Sequence, residues 1–497
     1  MNVYKKLEEN IKIIKEKLDS EDIILREINI EDNFPKLRAF LLFIDGLADK
    51  NLIQEHIIKS LNLFYKEKIF NLDILKKKII ETTVLTAVDI KNEKNLDKVF
   101  DFVLSGDTAL FIDGFDEAII ISSKGYEKRS VSESTAEAVI LGPKDSFTEN
   151  YRTNIVLIRR RLKDINLKIK TIKLGRHTKT DVGILYIQGI ANPKLIDEVL
   201  KRLNKIDIDG IIEIGYIEQL IEDNWLSPFP QFRRTERPDV VAGSLLEGNF
   251  AIICDNTPYA LIGPTTFLSL FQSAEDYYQK WYIAMIIRFL RFLALFFATS
   301  APALYVAFTS FNPEMIPADL LLSIASTREN VPFSSPIEAL LMIIILEVLR
   351  EAGVRLPGPI GKTIGIVGGL VIGEAAVKAG IVSPIMVIVI ALNAISSFAI
   401  PNYSVAIAFR ILTFIFLLFA SIAGLFGIIM GFILIICHLV TLKSLGIAYL
   451  YPFVNLDPEK MQDVAIRAPL PFMKERPDYL QPLDQKKLND GDKNAGV

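Results

Sequence analysis

Apolar residues follow three patterns along this chain. In the opening segment, MNVYKKLEENIKIIKEKLDS, they recur at helical spacing among charges, which predicts an amphipathic helix without the apolar core of a signal peptide. Further on, short apolar runs alternate with helical patterns around tight turns. Beyond residue 290 the runs fuse. Residues 292–311, 379–409 and 411–442 hold no Lys, Arg, Asp or Glu, and each is long enough to cross a hydrocarbon layer as a helix of about 20 residues.

The middle pattern repeats itself. AFLLFIDGLADKNLIQEHIIKSLN and VGILYIQGIANPKLIDEVLKRLN match at a shift of 143 residues, each reading strand, turn, helix. VLSGDTALFIDGFDEAIIIS and LLEGNFAIICDNTPYALIGP match at a shift of 142, each with two apolar runs around a turn at Asp113-Gly114 or Asp255-Asn256. Two blocks at nearly one shift predict two similar α/β subdomains. The expected fold class is an α/β soluble region of two repeated subdomains, then an α-helical polytopic transmembrane domain and a short polar C-terminal tail. The expected boundaries are 1–34 for an N-terminal amphipathic helix, 35–130 and 175–280 for the subdomains, and 131–174 for a helical connector. Residues 281–443 form the transmembrane part and 444–497 the tail.

Charge sharpens the division. Residues 282–443 hold 16 charged side chains in 162 positions, whereas the other 335 residues hold 99. The first density suits lipid and the second water. Tyr277, Tyr278, Trp281 and Tyr282 read as an interfacial aromatic belt, with Arg288 and Arg291 placed to snorkel to headgroups. SSPIEALLMIIILEVLREAG reads as a helix starting at Ser335-Pro336, either a short span or an interfacial helix because of Glu338, Glu347, Arg350 and Glu351. The tail carries eight Lys/Arg from Lys443 on, while the segment between Thr309 and Pro336 carries only Arg328. That asymmetry places the tail in the cytoplasm and, with no signal core arguing for export, the N-terminal region is expected there too, so an even number of crossings is expected, about four.

Over the whole chain, 56 Lys+Arg against 59 Asp+Glu give a net charge of -3, which argues against a nucleic-acid partner. Cys254 and Cys437 stand far apart, and no Cys/His cluster joins His56, His177 and His438, so neither a disulfide framework nor a metal site is expected. The chain has no nucleophile elbow, HExxH or Gly-rich dinucleotide turn in a suitable context. Gly361-Lys362-Thr363 imitates a phosphate-binding loop, but Leu356 stands where that loop needs glycine. Neither enzymatic activity nor a cofactor is expected.

Two constellations remain. Gly361, Gly365, Gly369 and Gly373 recur every fourth residue and would let a neighbouring helix approach closely. Leu370, Glu374, Val377 and Ile381 would share an adjoining helix face, which sets a carboxylate in an apolar stripe. If several copies surround an axis, Glu374 forms a cation-attracting ring and Val377 and Ile381 a constriction. Alternatively, Glu374 merely pairs with Lys378 at i, i+4. In the connector, Arg159, Arg160 and Arg161 belong to a basic helix face that either grips acidic groups of a neighbouring subunit or phospholipid headgroups, or is simply solvated.

Three stretches together resemble the A subunit of GerA-type spore germinant receptors: GPKDSFTENYRTNIVLIRRRLKD, RPDVVAGSLLEGNFAIICDNTPYALIGPTTFLSLFQSAEDYYQKW and SLGIAYLYPFVNLDPEKMQDVAIRAPL. One departure is that Pro143, Lys144, Asp145 and Ser146 stand where the family typically has Pro-Arg-Glu-Ala. The resemblance implies a subunit of a nutrient receptor in the spore inner membrane, assembled with a transporter-like B subunit, expected to bind the nutrient, and a lipoprotein C subunit. It further implies self-association, as a pentamer, into a ligand-gated cation channel. A stage V sporulation relative that amplifies germination, and a non-conducting scaffold for receptor subunits, are the competing readings.

Overall fold

The computed structural model describes residues 1–30, 37–61, 89–125, 137–355, 371–453, 463 and 467–488. These form two units: one comprises residues 1–222, 232–264 and 474–497, the other residues 223–231 and 265–473.

Central strands of the first unit are apolar on both faces, so they must be covered on both. β2 (Leu37–Ile44), β4 (Thr108–Ile112) and β5 (Ala118–Ile121) lie inside a sheet whose edges are β1 (Ile23–Ile30) and β3 (Ile90–Glu93), in the order β1-β2-β4-β5-β3. One face, with Phe40 stacked on Phe111 at 4.5 Å between centroids, packs on the helices Leu7–Lys17 and Leu96–Leu104 through Leu7, Ile14, Val99 and Phe100. The other face, through Leu41, Phe43 and Ile119, packs on Ile53 and Ile57.

A second sheet repeats this plan with β6 (Leu167–Leu174), β7 (Thr180–Ile187), β8 (Arg233–Thr235), β9 (Phe250–Cys254) and β10 (Ala260–Gly263), in the order β6-β7-β9-β10-β8. Strand for strand this is the order of the first sheet, and every pair in both is antiparallel. Its core joins Leu185, Ile187, Ala251 and Ile253 to the helices Tyr151–Arg159 and Pro238–Glu247.

Three expectations change. Residues 23–30 form an edge strand rather than part of an N-terminal helix, because β1 completes the ladder along β2. Among the described residues the connector is helical only over Tyr151–Arg159, where Asn150 caps the start by accepting from the Thr153 N–H at 3.0 Å. Its last residues, 167–174, are β6.

The second unit is built of helices, Trp281–Ser310, Ser335–Arg355, Pro384–Phe398 and Tyr403–Thr441 among them. Among the described residues, Trp281–Ser310 and Tyr403–Thr441 are long and apolar enough to cross a membrane. Residues 379–409, expected as one span, are broken at Pro401, where Asn402 caps a new helix by accepting from the Val405 N–H. The 39-residue Tyr403–Thr441 helix is itself interrupted at Gly424, whose φ of 60° and ψ of -136° are not helical. The rings of Phe416 and Phe432 lie 4.6 Å apart, whereas 16 positions along a continuous helix would separate them by about 24 Å. Residues 403–423 and 425–441 are therefore the two arms of a tight antiparallel hairpin. Gly424 is required at the bend: its φ is left-handed, and a Cβ there would sit 2.6 Å from the Phe311 side chain.

Candidate functional site

The short helix over residues 371–378 carries the described part of the predicted lining. Its inner side is small: Gly373 and Ala376 are buried, and a Cβ on Gly373 would lie 3.4 Å from Val387 of the same chain. Gly373 thus serves packing within the protomer. The opposite side is uncovered and mixed, with Val371 and Ala375 exposed beside two charged residues. Glu374 and Lys378 form a 2.6 Å ion pair, with 59% and 75% of their side chains exposed. Val377 is half-buried against the helical core, and Ile381 is exposed beyond the end of the helix, which turns at Gly380 with φ of 65°. Ile381 therefore does not continue the predicted stripe, because that stripe needed one more helical turn. Leu370, Gly361, Gly365 and Gly369 lie outside the described residues.

Just past this turn, Ser383 meets a buried carboxylate. Glu338, fully buried, accepts through Oε1 from the Ser383 backbone N–H at 2.5 Å and hydroxyl at 2.6 Å. Arg328 Nη2 stands 3.7 Å from its other oxygen. Tyr305 and Ser383 hydroxyls are 3.4 Å apart, and Thr309 donates to Ser335 at 3.1 Å. Sequence reading saw Glu338 only as an obstacle to a span. Its spacing from Ser383, 45 residues on, offered no signal of this contact.

Arg288 and Arg291 do not snorkel; both are buried. Asp276 accepts from Arg288 Nε at 2.9 Å and from Arg291 Nη1 at 2.8 Å. Arg288 also donates to the Asp463 carbonyl at 2.7 Å, while the Tyr277 hydroxyl donates to the Asp463 carboxylate at 2.8 Å. Tyr277 thereby leaves the aromatic belt, whereas Tyr278, Trp281 and Tyr282 stay exposed. Such a buried charge network holds the start of the first long apolar helix to the chain that follows the last one.

Two of the three connector arginines, Arg159 and Arg161, also turn inward, against their expected role toward a neighbouring subunit or lipid. Arg159 is fully buried and grips Asp22 with two hydrogen bonds, Nε at 2.7 Å and Nη2 at 2.9 Å, while also donating to the carbonyls of Asp164 and Leu167. Arg161 makes two bonds to Asp145, at 2.6 and 2.7 Å, so the aspartate at the departing motif keeps an acidic role. Arg160 is exposed at the helix end. The common cause is that Asp22 precedes β1 and Asp145 precedes the connector helix, positions that only folding brings within reach.

One further group titrates near neutrality. Burial, and then the neighbouring Glu218 carboxylate, push Glu222 up to about 7, against the pull of Arg234. Among the described residues no cluster of His, Cys, Asp and Glu is arranged to hold a metal.

The model of the Bacillus/Clostridium GerA spore germination protein family matches residues 9–479. Spore germination protein KA of Bacillus subtilis (strain 168) is 46% identical over 471 residues, covering 95% of this chain and 86% of that protein. Spore germination protein GerLA of Bacillus cereus is 42% identical over 477 residues, covering 96% of each. The crystal structure of the N-terminal domain of the A subunit of the Bacillus megaterium spore germinant receptor GerK3 is 38% identical. It aligns with 54% of this chain and 98% of that one at a TM-score of 0.42. On a match spanning nearly its whole length, the chain belongs to the GerA spore germination protein family, that of the GerA-type germinant receptor A subunits.

Proposed function

We propose that this chain acts in spore germination as the A subunit of a nutrient receptor, and that copies of it assemble, as a pentamer, into a ligand-gated cation channel. The observation that carries this reading is the uncovered charged pair on the 371–378 helix. In an apolar region, a carboxylate and an ammonium that are both more than half exposed must face protein or water rather than acyl chains. Copies arranged around an axis would give Glu374 that environment, with Val377 beside it as the narrower point.

The helical unit lies in the spore inner membrane on this reading, with both termini in the cytoplasm. The hairpin bent at Gly424 supplies two passes where one was expected. Ser335–Arg355 begins beside Thr309, near the end of Trp281–Ser310, and returns antiparallel to it. On this reading Pro384–Phe398 and the two arms of the hairpin also pass through the layer, and the 371–378 helix stands before Pro384–Phe398. A transporter-like B subunit binds the nutrient and a lipoprotein C subunit completes the receptor. Nutrient binding favours the open assembly by a population shift.

The rival reading, a non-conducting scaffold, draws on the Glu374–Lys378 pair, which neutralises itself within one helix. Ion flux from the purified chain in liposomes separates the two. Cation conductance that falls in Glu374→Gln supports the channel; absence of conductance, or conductance indifferent to that change, refutes it.

A further inference from the structure

A cavity of about 320 Å³ lies between the C-terminal half of the Ser335–Arg355 helix and the first arm of the Gly424 hairpin. Glu347, Arg350, Tyr403, Ile407, Arg410 and Phe414 line it. Glu347 is shared by two guanidinium groups, Arg350 Nη1 at 2.7 Å and Arg410 Nη1 at 3.4 Å. Glu351 also lines the cavity but is held by Arg355, which does not line it, at 2.6 and 2.9 Å. Of the lining charges, Arg350 and Arg410 thus share the one carboxylate, Glu347, that is not paired outside the cavity.

Hydrogen-bonding capacity is left over as well. A guanidinium offers five N–H donors. Arg350 uses Nη1 on Glu347 and Nη2 on the Ser397 hydroxyl, but its Nε is buried without an acceptor among the described residues. Arg410 makes one long hydrogen bond and otherwise lies over the Tyr403 ring at 5.8 Å. A monoanion with several oxygens supplies both the missing charge and the missing acceptors.

The surroundings indicate what the anion is attached to. Ile407, Ile411, Ile415, Leu418 and Ile422 are exposed and spaced along one face of the same arm, so an apolar stripe runs away from the charged cavity. It extends over about 22 Å at helical rise, comparable with the roughly 15 Å of one leaflet's hydrocarbon. We infer that this cavity binds the phosphodiester of a membrane phospholipid, with the headgroup phosphate on Arg350 and Arg410 and an acyl chain along the isoleucine stripe. The inference rests on the helical unit lying in a membrane, which sedimentation of the unmodified chain with the membrane fraction tests separately.

Native mass spectrometry of the detergent-purified full chain, offered phosphatidylglycerol or a diacylglycerol with the same acyl chains, tests the assignment. Phosphatidylglycerol is expected to be retained and diacylglycerol to be lost. Arg410→Gln should weaken retention by about tenfold. Glu347→Gln should strengthen it, because removing the shared carboxylate frees two guanidinium groups, whereas a merely structural disturbance would weaken it. Equal retention of both lipids overturns the proposal, as does weaker retention in Glu347→Gln. Displacement of the phospholipid by inorganic phosphate, independent of its tails, would assign the cavity to a free anion and overturn the lipid assignment.

Discussion

The two units treat their polar and apolar residues in opposite ways. In the α/β unit, β4, β5, β9 and β10 are buried along their whole lengths, and the charges that go inside, such as Arg159 and Asp22, are tied by paired hydrogen bonds. In the helical unit, Ile388, Ile395, Phe398, Ile422 and Phe426 stand more than half exposed, while Glu338, Arg288 and Asp276 are buried. The first arrangement gains from removing apolar surface from water. The second has no such gain where lipid surrounds it, so polar contacts and close backbone approach specify the packing instead.

That contrast is most sharply broken by unpairing a charge in the α/β unit. Asp22→Ala leaves Arg159 buried without its counter-ion and should cost about 3–5 kcal/mol, read from denaturant unfolding. A loss below 1 kcal/mol would mean that the two carbonyl acceptors and Ser20 already satisfy the guanidinium. In the helical unit the corresponding weak point is backbone approach. Gly424→Ala forces a left-handed residue and a methyl group against Phe311, with an expected loss of about 1–3 kcal/mol in detergent thermal unfolding. An unchanged midpoint would show that the hairpin is not held at this bend.

A smaller effect sharpens the comparison through pH. Because the folded chain holds the Glu222 proton up to about 7 while an unfolded chain releases it near the ordinary glutamate value of 4.5, the folded state binds more protons across that window. Stability therefore falls as pH rises from 4.5 to about 7 and is level above. Solvent screening of this half-buried group keeps the effect to about 1 kcal/mol. Glu222→Gln should flatten that slope, measured as unfolding midpoints at several pH values; an identical slope would place the proton elsewhere.

Legibility followed the same divide. The central strands and the helices beside them announced themselves at shifts of 143 and 142 because burial on both faces imposes long apolar runs. The edge strands β1 and β6 were merged into helical segments. LKIKTIKL alternates apolar with polar residues only over its first four positions, too briefly to mark a strand by its period. In the apolar half, the charge-free run over 411–442 signals lipid but contains no Pro or Asn to mark a turn, so the bend at Gly424 could not be told from the other glycines near it.

By itself the sequence determined the division into a charged half and an apolar half, the internal repeat and the family, because each depends only on which residues are present and in what order. Only the tertiary structure decided that Arg159, Arg161, Arg288 and Arg291 face inward, that Glu338 meets Ser383, and that one apolar run is two arms. The reason is physical. Where a charge goes depends on a partner that is distant in sequence, and periodicity reports a residue's own environment but not which residue supplies the opposite half of the contact.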